Sequence, residues 1–177
     1  VADADAPGGA ALAGFLATGE GLYRTDLTVG DLAGLHAEHS ADGVGAWRLG
    51  PLVEDPAGVR STLVFAEPAA VGGARFDLVD AGSSVVVERR TWCDRIYTHA
   101  VAVAAIVPAV EAFTSAGQPL WDRSDRADWG LDTAVFRQLS GSNVEFVSPQ
   151  DTSRSTASAI ASFIERRGGG HYMTVIA

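Results

Sequence analysis

The chain has 177 residues, the length of about one domain, and a net charge of −9 from 22 acidic and 13 basic residues. Nucleic acids and anionic membranes both select basic surfaces, so this balance predicts neither partner. Every basic residue is an arginine, which excludes Schiff-base and pyridoxal phosphate chemistry on a lysine, and no cofactor is predicted.

Cysteine content and apolar runs narrow the class further. Cys93 is the only cysteine, so an intramolecular disulfide and a thiolate-rich metal site are excluded, and a buried core position is expected. No apolar run has the length of a membrane span, and no signal-peptide pattern is present. The cytoplasm is therefore the expected compartment, although secretion stays open because the chain does not begin with methionine.

The composition of residues 1–9 predicts a flexible N-terminal segment, followed by a single globular domain over residues 10–177. The stretch "AALAGFLATG" has Leu12, Phe15 and Leu16 at helical spacing and predicts a short helix. Thr28 with Asp31 three residues later resembles a capping box, which predicts a second helix that runs to about residue 40.

The hydrophobic period then changes to that of strands. The segments "GAWRLGPLVEDP", "RSTLVFAEP", "ARFDLVDAG" and "SSVVVERR" are short, rich in β-formers and separated by turn residues. Links of a few residues are too short for helical crossovers between parallel strands. The sequence therefore predicts an antiparallel β-meander.

The segment from Asp94 to Gly117 fits two descriptions. Alternation places Arg95, Tyr97 and His99 on one face of a strand, whereas helical spacing and alanine content favour a helix. We predict the helix, with Pro108 either kinking it or opening a second helix, and with Gly117 as its stop.

The remaining elements complete the expected fold. Residues 118–132 read as a polar loop, "TAVFRQLSG" as a short helix, and "NVEFVS" as a strand. A helix over about 152–167 and a strand "HYMTVIA" follow, and this last unit is long enough for a right-handed crossover. No internal repeat is apparent. The predicted class is α+β, an antiparallel β-meander flanked by helices, with a C-terminal β-α-β unit.

The stretch "SPQDTSRSTAS" is the first candidate site. Backbone N–H groups at a helix start attract anions, serine and threonine hydroxyls add donors, and Arg154 suits a bidentate carboxylate or phosphate contact. Asp151, Thr152 and Ser153 are equally typical of helix capping. Both interpretations stay open. The candidate anion-binding residues are Ser148, Thr152, Ser153, Arg154 and Ser155.

The stretch "TWCDRIYTHA" is the second candidate. An acid, a cation, a phenol and an imidazole within six residues can orient a carbonyl compound and move a proton. We assign catalysis to His99 with Tyr97 or Asp94, and substrate binding to Arg95. The alternative is a polar helix start in which Asp94 is the cap.

Two weaker signals remain. His36 and His39, three apart on a predicted helix, are metal-ligand candidates without the spacing of known zinc motifs, and a surface helix is the alternative. Trp121 and Trp129 bracket the polar loop, either as lid residues that bind an apolar substrate or as anchors of the loop to the core.

Three functions fit these observations. The first is a small cofactor-independent enzyme that acts by acid–base chemistry on a small molecule with a carbonyl or anionic group, as an isomerase, cyclase, lyase or hydrolase does. The second is a non-catalytic domain that binds a small molecule or anion. The third is a structural subunit of a homo-oligomer. A titratable pair in a pocket would distinguish the first from the others.

Overall fold

A computed structural model describes residues 9–17, 22–40, 45–55, 58–80, 96–138 and 141–176. Within these ranges no helix is long and apolar enough to cross a membrane. The elements in chain order are α1 Gly9–Ala17, β1 Thr25–Val29, α2 Leu32–His39, β2 Trp47–Asp55, β3 Gly58–Phe65, a 3₁₀ turn Pro68–Val71, β4 Phe76–Asp80, β5 Ile96–Ala102, α3 Ile106–Ser115, β6 Leu120–Arg126, β7 Leu131–Arg137, β8 Asn143–Pro149, α4 Ser155–Arg167 and β9 Gly170–Ile176.

The described strands form two sheets, and the predicted α+β class is confirmed. The first sheet has the order β1-β4-β3-β2 and the second has the order β6-β7-β8-β5-β9. In both sheets a strand, a helix and three further strands follow one another, and the first strand pairs in parallel with the last. The chain thus repeats one β-α-β-β-β unit, which the sequence did not reveal.

The first half agrees with the predictions except at the second helix. The short first helix and the antiparallel run β2, β3 and β4 are confirmed, while "SSVVVERR" and Cys93 lie outside the described residues. Thr28 lies in β1 and does not cap a helix. Asp31 is the N-cap of α2, and its side chain accepts a hydrogen bond from the N–H of Gly34 at 2.8 Å. Strand β1 was missed because its partner β4 lies about fifty residues away.

The predicted helix from residue 94 is wrong over its first part. Residues 96–102 form β5, which lies inside the second sheet between β8 and β9. Only residues 100–102 are buried without alternation and so resemble a buried helix, whereas Tyr97 and His99 keep the alternation of a strand. The second part is correct, because Pro108 lies in the first turn of α3 and Gly117 follows the helix with φ 74°.

The predicted loop over 118–132 and the helix over 133–141 are also wrong. They form the hairpin β6–β7, with the turn closed by the N–H of Trp129 on the carbonyl of Arg126 at 2.9 Å. The C-terminal strand, helix and strand are present as β8, α4 and β9. However, β5 is parallel to β8 and antiparallel to β9, so β8 and β9 run in opposite directions and no parallel crossover forms.

One aromatic cluster joins the two sheets. Phe113 on α3 is fully buried, with ring centroids 4.9 Å from Phe76 in the first sheet and 5.0 Å from both Phe136 and Phe146 in the second. A smaller core on the other face of the second sheet packs α4 through Ala157 and other apolar residues. The fold therefore depends on α3 as the element shared by both units.

Replacing Phe113 by Ala is expected to lower the free energy of unfolding by about 3–5 kcal/mol, because it opens a cavity among the surrounding rings. Val107→Ala on the same helix is the control, since Val107 is 47% exposed and its loss should change stability by less than about 0.5 kcal/mol. Urea denaturation measures both values. Equal effects of the two substitutions would contradict the central role of Phe113.

Candidate functional site

A cavity of about 390 Å³ lies where the two units meet. Its walls come from α1 and the segment before β1, from the turn after the 3₁₀ helix, and from the end of α4 with the start of β9. We call it the intersheet pocket. Its lining residues are Phe15, Leu22, Tyr23, Gly72, Gly73, Ala74, Arg75, Phe163, Arg167, Gly169, Gly170 and His171.

Arg75 forms one wall of the pocket and is held by three groups. Its Nη1 donates to the Tyr23 hydroxyl at 2.9 Å, its Nη2 to Thr62 Oγ1 at 2.9 Å, and its Nε to Asp77 Oδ1 at 3.3 Å. Asp77 is fully buried and also pairs with Arg24 at 3.2 Å. Arg75 is therefore a fixed cation whose guanidinium also lies 5.4 Å from the centroid of the Tyr23 ring.

Arg167 is the second cation of the pocket and differs from Arg75 in being exposed. It is the last residue of α4, and no described residue forms an ion pair with it. The described lining of the intersheet pocket contains no carboxylate. Depressions along β6 and beside α2, in contrast, each include an aspartate, such as Asp125 or Asp80. Because Arg75 pairs with Asp77, Arg167 is the cation of the described lining whose charge no described carboxylate balances.

Glycines bring the two units into contact beside the pocket. A Cβ on Gly72, whose φ is 65°, would lie 2.5 Å from the carbonyl oxygen of Ala102 and 2.8 Å from the nitrogen of Gly170. A Cβ on Gly169 would lie 2.8 Å from the same oxygen. Only glycine permits this backbone crossing. The glycine triplet after α4, to which the sequence attaches no mechanism, therefore sets the distance between the sheets.

His171 connects the sheets by hydrogen bonds at the back of the pocket. Its Nε2 lies 3.0 Å from the carbonyl oxygen of Arg75, which only accepts, so Nε2 carries the proton. Its Nδ1 then accepts from the Thr25 hydroxyl at 3.3 Å. Burial lowers the pKa of His171; the Arg75 carbonyl opposes this, and the charge of His99 lowers the pKa further. The imidazole is therefore neutral at neutral pH.

The structure brings together two members of the predicted catalytic set. Tyr97 and His99 both lie on β5, two residues apart, as the strand alternative requires; Asp94 and Arg95 lie outside the described residues. His99 is half-buried, burial lowers its pKa, and its Nδ1 lies 3.3 Å from Thr174 Oγ1 on β9. His99 thus has one nitrogen held in place and a neutral ring.

The second predicted segment lies away from His99. On the parallel strand β8, Val144 pairs with His99, so Ser148 lies four residues further, about 13 Å along the sheet. Ser148 is fully buried and donates to the carbonyl of Ala104 at 3.2 Å. The two candidate segments therefore do not meet at one point.

The anion-binding candidates before α4 contact one another. Asp151 Oδ1 accepts from the N–H of Ser153 at 3.0 Å, and Asp151 Oδ2 lies 3.7 Å from Arg154. The hydrogen bonds from Ser153 lower the pKa of Asp151. Thr152, Ser153, Arg154 and Ser155 are exposed. Arg154 faces this local carboxylate and is itself the N-cap of α4, without a side-chain capping hydrogen bond, so Asp151, Thr152 and Ser153 do not cap the helix as that alternative expected.

The two tryptophans do not anchor a loop to the core, which makes that alternative wrong. Trp121 is 57% exposed and lies under the guanidinium of Arg137, and Trp129 is 54% exposed beside Arg126. Neither residue lines the intersheet pocket. Both lie at the β6 hairpin, on the side of the second sheet away from β9.

The two metal-ligand candidates on α2 have other contacts. His36 Nε2 donates to the carbonyl of Gly50 at 3.0 Å, while His39 lies 3.8 Å from Glu38 and packs against Trp47. Among the described residues, no three histidine, cysteine or acidic side chains are grouped as metal ligands.

Sequence reasoning missed most of the pocket. Tyr23, Arg75 and Arg167 attracted no functional prediction, and His171 was not assigned to a ligand pocket. The available signal was the pair of glycine clusters, one ending three residues before Phe76 and one directly before His171. Clustered glycines mark close backbone approach, but they do not reveal which two segments approach.

No protein family and no curated protein matches this sequence. Methylmalonyl-CoA epimerase from Mycobacterium tuberculosis is similar in structure, with 22% identity, a TM-score of 0.45, and coverage of 51% of this chain and 59% of the epimerase. A Streptomyces coelicolor methylmalonyl-CoA epimerase variant in complex with 2-nitronate-propionyl-CoA is also similar in structure. It has 16% identity, a TM-score of 0.41, and coverage of 48% of this chain and 61% of the epimerase.

A glyoxylase/bleomycin resistance protein/dioxygenase domain from Frankia sp. EAN1pec is similar over more of its length. It has 13% identity, a TM-score of 0.47, and coverage of 75% of this chain and 93% of the domain. The chain spans about three fifths of the two epimerase structures. Because all these TM-scores are below 0.5, the function proposed for this chain has to come from its own residues.

The lowered pKa of His171 predicts acid sensitivity of the fold. Above the unfolded-state value of 6.5 the neutral ring contributes its full stability. As the pH falls from there through the lower folded-state pKa, the unfolded chain takes up a proton that the folded chain excludes, and stability is lost. His171→Gln is expected to be less stable by about 1–3 kcal/mol at about pH 7.5, with a weaker dependence on acid.

Urea denaturation between about pH 7.5 and pH 5 measures this difference. Thr25→Val is the control, because it removes the hydroxyl that Nδ1 accepts from but leaves the imidazole in place. It should lower stability and keep the acid dependence of the unchanged protein. An identical pH profile for His171→Gln and the unchanged protein would show that His171 does not carry this linkage.

Proposed function

We propose that the protein binds a small organic anion in the intersheet pocket. The observation that supports this is Arg167, an exposed arginine with no described ion-pair partner, at a cavity whose described lining holds no carboxylate and whose second arginine, Arg75, is held in place by Asp77. Elsewhere several arginines of the chain face acids, as Arg123 faces Asp132 at 3.2 Å. With a net charge of −9, the protein as a whole repels anions, so a site for one needs a local positive charge such as that of Arg167.

The walls of the pocket indicate the rest of the ligand. Phe15 and Tyr23 pack with ring centroids 5.3 Å apart on one side, and Phe163 packs against Tyr172 at 5.2 Å on the other. Aromatic walls bury an apolar group, and a guanidinium binds a carboxylate or phosphate through two parallel hydrogen bonds. A volume of about 390 Å³ suits a small molecule. The ligand class is therefore a carboxylate or phosphate ester with an apolar body.

Phenylacetate is a suitable probe, with phenylacetamide as its uncharged counterpart. We expect phenylacetate to bind the 177-residue chain and to shift the amide resonances of residues around the pocket. Phenylacetamide should bind at least about tenfold more weakly, because it lacks the charge for Arg167. Heteronuclear NMR titration measures both affinities. Equal affinity for the two compounds would contradict an anion site.

Arg167→Gln should weaken phenylacetate binding by about tenfold, which corresponds to the loss of one charged hydrogen-bonded pair. Arg166→Gln is the matched control, because Arg166 lies in the same helical turn but does not line the pocket. Arg154→Ala tests the alternative anion site before α4. Weaker binding in Arg154→Ala with normal binding in Arg167→Gln would move the site to the start of α4.

Acid–base catalysis on the bound molecule is the second candidate function. The observation that favours it is His99, a half-buried imidazole with a lowered pKa and one nitrogen fixed beside Thr174 on β9, the strand that also carries His171; His99 itself does not line the intersheet pocket. A neutral, oriented imidazole is suited to remove a proton next to a carbonyl group. Tyr97 on the same strand face, with 43% of its surface exposed, would complete the predicted pair.

The reaction is tested with phenylpyruvate in D₂O, a carboxylate with an acidic C–H bond beside its carbonyl. His99 would take the proton as the C–H bond breaks, the electron pair would pass to the carbonyl oxygen as an enolate, and a deuteron would return to carbon. Proton NMR should show exchange faster than the spontaneous rate. His99→Gln should lose this acceleration by about 100-fold while phenylpyruvate still binds. Binding without accelerated exchange would leave a non-catalytic binding domain.

A further inference from the structure

Strand β6 is an exposed edge of the second sheet. It pairs with β7 on one side only, and six of its seven residues are exposed on the described surface. The N–H and C=O groups of alternate residues therefore point away from β7, where another strand can pair with them. Proteins usually protect such an edge with charged side chains, proline, a β-bulge or a covering loop. β6 has a register shift between Leu120 and Asp122 and charges of both signs, and the order of these charges decides which strand can pair with it.

The charges of β6 are self-complementary. Its central residues read Asp122, Arg123, Ser124, Asp125 and Arg126. When two copies of this strand run antiparallel about Ser124, Asp122 lies opposite Arg126 of the second copy, and Arg123 lies opposite Asp125. Each pair occurs twice by symmetry. Residues directly opposite one another share a face of the sheet, so all four acids face arginines.

Neighbouring registers do not have this property. A two-fold axis perpendicular to the sheet keeps each side chain on its own face, so the register can change only in steps that keep opposing residues both even or both odd. A shift by one such step in one direction places Asp125 of one copy opposite Asp125 of the second copy. A shift in the other direction places Arg123 of one copy opposite Arg123 of the second copy. Like charges directly opposite one another are destabilising. The sequence therefore selects one register.

The exposed tryptophans lie at the two ends of the same strand. Trp121 is at its start and Trp129 is in the turn after it, 57% and 54% exposed. In the register about Ser124, Trp121 of one copy comes opposite Ala127 of the second copy, beside the turn that carries Trp129. Aromatic residues are enriched at protein–protein contacts, and tryptophan is common among the few residues that carry most of the binding energy.

We propose that two copies of this chain associate through β6 in this register, which forms one continuous sheet across a two-fold axis. The occupant of the edge is a second copy because the charge pattern complements itself. This association is independent of ligand binding in the intersheet pocket. A single strand per copy with two tryptophans gives a contact smaller than that of an obligate dimer. The expected association is reversible and weakened by salt.

Asp125→Arg tests the proposal without weakening the fold. Asp125 lies opposite Asp132 on β7, so an arginine there gains a partner within its own chain. Between copies, however, the substitution places Arg123 opposite the introduced arginine twice. Sedimentation equilibrium should show a dimer of twice 18.4 kDa for the unchanged chain. For Asp125→Arg, it should show a dimer dissociation constant raised at least about tenfold.

Two further samples separate pairing from unrelated effects. The double variant Arg123→Asp with Asp125→Arg exchanges the charges and should restore the dimer. An equimolar mixture of the single variants Arg123→Asp and Asp125→Arg should form a heterodimer, although each alone is impaired. A monomeric unchanged chain at millimolar concentration, or a dimer unaffected by Asp125→Arg, would overturn the proposal. So would a double variant that stays monomeric while circular dichroism shows it folded.

Discussion

The packing of Phe113 against rings from both sheets is the contact on which the rest of the structure depends. Each β-α-β-β-β unit alone has a sheet of four strands and one helix of 8 or 10 residues. A unit of this size buries a smaller share of its surface than the whole chain does, so it is only marginally stable alone. Phe113 makes the two units one core, since its ring contacts Phe76 at 4.9 Å and Phe146 at 5.0 Å. The position of every candidate functional group follows from this junction.

Beside the aromatic cluster, the junction is polar and closely spaced. Gly72 and Gly169 let the backbones cross, and His171 donates to the Arg75 carbonyl while it accepts from Thr25. Because both nitrogens of the buried His171 imidazole are hydrogen-bonded, this residue favours one relative position of the two sheets. A small shift of one sheet would leave a donor or an acceptor unpaired in a low-dielectric site. The same constraint leaves an open volume, since glycines bring the backbones together but supply no side chains to fill the space beside them. The intersheet pocket is a consequence of this crossing.

The sequence predicted the α+β class, three meander strands and the C-terminal strand, helix and strand, because these elements have local signals. It failed where the deciding contacts are distant. Strand β5 was predicted as a helix, because its second half, residues 100–102, is apolar on both faces between two neighbouring strands. Strand β6 was predicted as a loop, because an exposed edge strand is polar on both faces. In each case the amino-acid composition of the strand follows from its position within the sheet. The local sequence pattern does not contain that position.

The same reasoning explains what was found of the candidate site. His99 and Tyr97 were identified by residue type, and their shared strand face follows from alternation. Arg167 and Arg75 could not be identified, because nothing near either residue in sequence indicates that they line one cavity. They come together through segments far apart in the sequence. The type of a residue thus indicates the chemistry it can perform, whereas only the fold shows which residues lie in the same cavity.

The two proposed surfaces lie at opposite edges of the second sheet. β6 is one edge strand, and β9, whose His171 lines the pocket, is the other. Four strand spacings of about 4.8 Å separate them, roughly 19 Å. A two-fold axis at β6 therefore places the two pockets at the outer ends of the continuous sheet, where both stay open to solvent. Pairing at β6 neither covers the pocket nor needs a ligand in it, so each proposal can fail while the other holds.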